Sequence, residues 1–342
     1  MAYDIRRRTV LLGGTALILS ACGSSDDDSP ALDQSGGTHG RFPATAEHKY
    51  GTTTVEKTPE RIVIIGLTEQ DTVLALGHTP IATTEWYGEE PFAVWPWAQD
   101  ALGDAEPTVL NATDGFQFEK IAELQPDLII ATNSGVQKAD YEKLSELAPT
   151  IAAPPGASDY FSPWPVQTRL IGDALGLRPE ADKLVTDIQD RFESEASKHP
   201  EFRGKSIVFL QNAVSEGSYI AYPDGLSTQF LTALGFTVPG YLDKYTRDEA
   251  QSYIPAEKID VVDGADVLLW ATEKASDIDA LEDEATFMNL TPVQEGRSVF
   301  TDGTLAGAIY FTSPLSLPYL LDRLPAMLTD AVNGEAPREL PS

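Results

Sequence analysis

Cysteine is almost absent: Cys22 stands alone in 342 residues. No disulfide can close within the chain, which excludes a disulfide-stapled scaffold. Histidine is scarce as well. Of the four, His39 and His48 fall near the N-terminus, His78 follows the helix-closing Gly77 and His199 ends a predicted helix. No set of imidazoles therefore converges as a bare-metal site requires. Haem stays open, because tyrosine can ligate its iron. Cations are few, with 24 Lys and Arg against 53 Asp and Glu and a formal charge of −29, which disfavours nucleic acid and favours solubility. Motifs of covalent chemistry are missing too. Gly225-Leu226-Ser227-Thr228-Gln229 fails the Gly-x-Ser-x-Gly elbow at its last position, and no histidine is well placed beside a serine for triad catalysis. Gly204-Lys205-Ser206 has His199 where a phosphate loop needs glycine, and it opens a strand rather than a helix. An enzyme is not expected; a tethered hydrolase is a remote alternative.

What is present begins at the N-terminus. Arg6, Arg7 and Arg8 precede an uncharged run from Val10 to Ala21, too short to span a bilayer as a helix but suited to an export signal. Leu19-Ser20-Ala21-Cys22 resembles a bacterial lipobox, so residues 1–21 are read as a signal peptide and Cys22 as the lipid-bearing new N-terminus. Arg7-Arg8-Thr9-Val10-Leu11 also resembles a twin-arginine signal, and the general export route stays open. Residues 22–50 are expected to be a tether, rich in Gly, Ser and Asp at its start. Removing residues 1–21 takes three arginines and one aspartate, leaving 21 basic and 52 acidic residues and a formal charge of −31. A solvated acidic surface accounts for most of that charge.

From Arg61 short apolar runs alternate with helical segments: "RIVIIG", "TEQDTVLALG", "PIATTEW", "FEKIAELQP", "DLIIAT", "ADYEKLSELAP" and "TIAAP". The pattern predicts a first α/β lobe over 51–165, with a mainly parallel sheet covered by helices. "KSIVFLQ", "LSTQFLTALGFTVP", "AEKIDVVDGADVLLW" and "VQEGRSVF" restart the theme as a second lobe over 201–338. Two echoes recur in the same order: "LALGHTP" with "LTALGFTVP", and "FEKIAELQPDLII" with "AEKIDVVDGADVLLW". Duplication of one α/β unit explains both. Between the lobes, a linking segment over 166–200 holds a helix with Pro179 near its start and an apolar stripe of Ala181, Leu184, Val185, Ile188, Phe192 and Ala196. One stiff helix predicts only slight rocking of the lobes around a ligand.

The lipobox, the Leu-Gly helix ends, "EKIAELQPDLII", "ELAPTI" and the linking helix together resemble the helix-linked periplasmic-type binding proteins. Within them the chain resembles an iron-siderophore ABC-transporter substrate-binding lipoprotein, with vitamin B12-binding proteins as close relatives. The resemblance covers Arg61 to Val332. It implies a bacterial, lipid-anchored monomer on the outer face of the cell membrane that captures a ferric siderophore and delivers it to a permease. Iron then travels inside the ligand, with no separate cofactor and no protein metal site. It also implies that Glu119 and Glu257, at matching motif positions, dock on the permease; a carboxylate in a first helical turn is also stabilised by the helix dipole alone. Cobalamin or haem is the alternative ligand.

Ligands of such folds bind outside the carboxyl ends of strands. That rule selects Leu67 and Thr68, Trp86 and Tyr87, Asn133 and Ser134, Tyr219 and Tyr222, and Trp270. The loop "EWYGEEPFAVWPW" adds Trp95 and Trp97, and two of its three tryptophans are expected to line the cleft. Aromatic walls suit flat catecholate or hydroxamate groups. Arg247 is the expected cationic contact for an anionic complex, with Lys244 and Tyr245 beside it and a surface ion pair to Asp248 or Glu249 as its alternative role. Tyr310 and Phe311 are candidates for the opposite wall.

Overall fold

Burial alternates along the chain earlier than its composition suggests. In the computed structural model, which describes residues 40–157, 160, 162–247 and 251–338, Ala44–His48 form strand β1 and pair antiparallel with β2, Gly51–Val55. Ala44, Ala46 and His48 share the buried face. His48 Nε2 shares a 2.8 Å hydrogen bond with Thr53 Oγ1, which donates to the Thr150 carbonyl at 2.9 Å. The tether expected over 22–50 therefore gives way to ordered structure by residue 44, and His48 is a core group of the hairpin. The expected signal peptide, Cys22 and residues 22–39 lie outside the described residues.

The first lobe is built on β3 (Ile62–Ile64), β4 (Ala82–Glu85), β5 (Thr108–Asn111), β6 (Leu128–Ala131) and β7 (Thr150–Ala152). Their order is β5-β4-β3-β6-β7 and every pairing is parallel. Short runs rich in β-branched residues suit this, since helices cover both faces and each run is buried from two sides. Alternate residues feed separate cores: Ile62, Ile64, Leu128 and Ile130 on one face, Val63, Ile129 and Ala131 on the other.

The second lobe holds β8 (Ile207–Ser215), β9 (Ser218–Tyr222), β10 (Thr246–Arg247), β11 (Gln251–Pro255), β12 (Val267–Ala271) and β13 (Ser298–Phe300), ordered β10-β11-β9-β8-β12-β13. Here β8, β12 and β13 are parallel, while β9, β10 and β11 join antiparallel. The sheet is thus mixed rather than mainly parallel. Glu216 and Gly217 explain this: both have positive φ, 48° and 76°, in a two-residue turn between Ser215 and Ser218. Such a turn joins only antiparallel strands.

The linking helix, Arg178–Lys198, runs 21 residues, or about 30 Å. Ala181 packs in the first lobe's core, Ile188 and Phe192 in the second's, and Leu184 touches both. The described residues all fall within one compact unit. Two α/β lobes joined by a single helix are what the sequence predicts.

Candidate functional site

In the first sheet the chain order reverses at β3 and β6, which lie side by side. The loops leaving their carboxyl ends part there and open a crevice. Glu69 pins the two loops together. Its carboxylate accepts from the Asn133 backbone N–H at 2.7 Å, the Thr132 hydroxyl at 3.2 Å and the Thr68 backbone N–H at 3.0 Å. Burial pushes the Glu69 carboxyl up, and these donors oppose the shift. Gly66 is required beside it, since a Cβ there would lie 1.9 Å from the carboxylate. Asn133 Nδ2 donates to Thr68 Oγ1 at 3.1 Å, so Thr68 and Asn133 form the first-lobe floor of the cavity.

The facing wall comes from the second sheet. Phe209 and Gln211 on β8 share a face with Tyr222 on β9, and the Phe209 and Tyr222 rings stack with centroids 4.5 Å apart. The Tyr222 hydroxyl donates to Gln211 Oε1 at 2.9 Å and receives Gln251 Nε2 at 3.2 Å. Burial pushes the Tyr222 phenol up to about 12. The Tyr87 and Tyr310 phenols are pushed up as well, chiefly by burial, so all three stay protonated at neutral pH. The Tyr87 and Tyr310 hydroxyl oxygens are buried without a hydrogen-bond partner. Trp86, Trp164 and Phe311 complete the aromatic surface of a cavity of about 450 Å³ between the lobes, a size that suits a small-molecule ligand.

Of the residues the sequence selects, Thr68, Trp86, Tyr87, Asn133, Tyr222, Tyr310 and Phe311 line this cavity. Others stand elsewhere for definite reasons. Trp270 pairs in register with Leu210, whose side chain faces a separate core on the far side of the second sheet rather than the cleft, and it packs on Phe287 in that core. Tyr219 differs from Tyr222 by an odd number of residues, so it points to the same far side and meets Trp270. Ser134 folds back to donate to the Ala131 carbonyl at 2.9 Å. Trp95 and Trp97 stack with centroids 5.0 Å apart and pack against Phe311, joining the lobes beneath the cavity instead of lining it. Trp86 is therefore the one tryptophan of its loop in the lining. Arg247, on the edge strand β10, is exposed with its guanidinium 5.1 Å over the Tyr253 ring, outside the lining. Asp248 and Glu249 lie outside the described residues.

Several lining residues escape the strand-end rule. Phe209 and Gln211 sit inside an apolar run, Gln251 opens a strand hidden in a segment that reads as loop, and Trp164 and Gln167 belong to the helix Trp164–Ala174. Glu273, two residues past β12, is the one the rule reaches if extended beyond the strand's last residue. Burial and then Asp277 push its carboxyl up, against Lys274. Among the described residues no group of three His, Cys, Asp or Glu side chains is placed to hold a metal ion, and no helix is long and apolar enough to cross a membrane. Glu119 and Glu257 are both exposed in the first turn of their helices, the second a 3₁₀ segment, Ala256–Val262.

Residues 62–305 match the family described as periplasmic binding protein. The chain is 30% identical over 326 residues to the "Probable siderophore-binding lipoprotein YfiY" of Bacillus subtilis (strain 168), spanning 90% of this chain and 92% of that one. Its fold superimposes with a TM-score of 0.80 on a periplasmic solute binding protein from Mycobacterium smegmatis, at 43% identity over 84% of this chain and 98% of the other. It superimposes with a TM-score of 0.71 on PiaA of Streptococcus pneumoniae TIGR4 in complex with ferrichrome, at 26% identity over 85% and 99%.

Proposed function

The chain belongs to the periplasmic binding protein family, and from that premise we propose that it captures a ferric siderophore between its lobes and delivers it to an ABC-transporter permease. The observation that carries the reading is the cavity itself, about 450 Å³, walled by aromatic rings and carboxamides from both lobes. Rings supply dispersion and apolar burial to a bulky complex. Phenols and amides supply neutral hydrogen bonds. The iron needs no protein ligand, because the siderophore fills its coordination shell. Proteins of this family bind solutes rather than transform them, and the relative YfiY is named a lipoprotein.

Cys22 carries the lipid that holds the mature chain at the outer face of the cell membrane, and the protein works as a monomer. Glu119 and Glu257 present one carboxylate per lobe to the permease. Their exposure and matching motif positions support this, since a purely structural carboxylate would not have to recur in both halves. The binding test is a titration of the chain from Gly23 with ferric siderophores, their iron-free forms, cobalamin and haem, by calorimetry and tryptophan fluorescence. Trp86 and Trp164 line the cavity, so their emission should change on binding. Saturable binding of a ferric complex, at least about tenfold tighter than its iron-free form, is expected. Binding of cobalamin or haem alone would overturn the siderophore reading and keep the fold.

A further inference from the structure

The walls of the cavity also carry information about the charge of what it holds, an inference that rests on the siderophore reading above. Among the described residues that line it, the only charged side chain is Glu273, at its mouth. The rest are aromatic, aliphatic, hydroxyl or carboxamide. No lysine or arginine is among the described lining residues. Lys274, the neighbour whose charge opposes the shift on Glu273, is exposed and outside the lining.

Acidic groups act on the cavity's phenols from both lobes. Glu90 on the aromatic loop and Glu273 on the second lobe both act on the Tyr87 phenol, and Glu273 and Asp277 act on Tyr310. Glu85 lies close to Glu89 and Glu90, and its Oε1 is buried without a partner. An anionic ligand would add its charge to this field with no cation among the described lining residues to receive it, and a buried charge is costly unless paired. The two unpartnered phenols offer what a neutral complex needs: O–H donors for iron-bound oxygens that carry only partial charge.

We propose that the cleft selects ferric complexes of zero or positive net charge, of the kind that three hydroxamate groups make, and rejects ferric tris-catecholates and ferric citrates. Formal charge separates these classes. Three singly charged bidentate groups neutralise a ferric ion, and a pendant ammonium makes the complex positive. Three doubly charged catecholates leave three negative charges. Glu273 and the acidic mouth repel the second class, while the phenols at Tyr87 and Tyr310 hold the first. Specificity here is built as much from repulsion as from attraction.

The test compares ferrichrome, which is neutral, ferrioxamine B, which carries an ammonium, a ferric tris-catecholate and ferric dicitrate against the chain from Gly23, at low and physiological salt. The tris-catecholate should bind at least about a hundredfold more weakly than ferrichrome, and only ferrioxamine B should weaken markedly as salt rises. Glu273→Gln should lower the ferrioxamine-to-ferrichrome affinity ratio by about threefold to tenfold, and Gln211→Arg should shift the catecholate-to-ferrichrome ratio at least about tenfold toward the catecholate. Comparable or tighter binding of the tris-catecholate would overturn the charge selection and leave the siderophore reading standing. An affinity ratio unmoved by Glu273→Gln would overturn the part given to that residue. Failure of every ferric complex to bind would overturn both the selection and the reading beneath it.

Discussion

Asp71 receives hydrogen bonds from both lobes through one carboxylate oxygen: Trp97 Nε1 donates at 2.7 Å and the Ser313 hydroxyl donates from the other half of the chain. Its second oxygen is buried without a partner. Burial pushes its carboxyl from 3.8 up to about 6, with the two donors opposing. The folded protein thus binds this proton more tightly than the unfolded chain does. The stabilisation is complete below the unfolded value and is lost as pH rises through about 6, a loss of about 3 kcal/mol at neutral pH. Asp71→Asn removes that ionisation. Denaturant unfolding of both forms should show the variant gaining about 2 kcal/mol or more on the wild type between about pH 4 and pH 7; a difference that stays flat with pH would contradict the assignment. The orphaned phenols give a prediction of opposite character. Tyr87→Phe and Tyr310→Phe should each raise the stability of the unliganded protein by about 1 kcal/mol, by removing an unsatisfied hydroxyl, and weaken ferric siderophore binding by about tenfold. Loss of stability with unchanged affinity would show that these hydroxyls serve packing instead. At this scale the sequence is only half legible. Chemistry named the aromatic residues, but parity along β9 and β12 decided between Tyr222 and Tyr219 and sent Trp270 into the core. Arg247 was attractive for its charge, yet charge says nothing of which strand edge carries it.

Elements were more legible than residues. The apolar stripe of the linking helix predicted its buried face, and Ala181, Val185, Ile188 and Phe192 are buried there. The β1–β2 hairpin is not legible in the sequence, because its strands are short and rich in threonine and alanine rather than in large apolar residues. The helix Gly303–Phe311 shows what composition conceals. A Cβ at Gly307 would lie 2.4 Å from the Trp95 ring, and one at Gly88 would lie 2.6 Å from the same ring. Trp95 is thus held between a glycine from each lobe, which is why it is core and not cleft. Gly307→Ala should therefore destabilise the protein by about 1 to 2 kcal/mol, because overpacking outweighs the gain in helix propensity. Thermal unfolding measures it, and a melting temperature equal to or above wild type would show that the contact relaxes freely.

For the whole molecule, the alternation of runs and the two ordered echoes made the two-lobe plan legible. The antiparallel half of the second sheet was not, since it depends on one tight turn at Glu216 and Gly217. One helix with side chains in both cores, with Asp71 and Trp95 tied across the lobes, makes a stiff body. Scattering profiles with and without ligand should therefore nearly superimpose, and a large closure would contradict the rigid link. Delivery depends on the carboxylates. Glu119→Lys with Glu257→Lys should leave ferric siderophore affinity within about twofold and reduce cellular iron uptake by at least about tenfold, since both sites are exposed and outside the cavity lining. Uptake at the wild-type rate would remove the docking assignment. The central claim is that a ferric complex sits between the lobes. Anomalous diffraction at the iron edge, from crystals grown with a ferric hydroxamate, tests it most directly. The account predicts one iron peak within the cavity lined by Trp86, Tyr87, Tyr222 and Tyr310; iron bound only outside that cavity, or no ordered iron at saturating ligand, would contradict it.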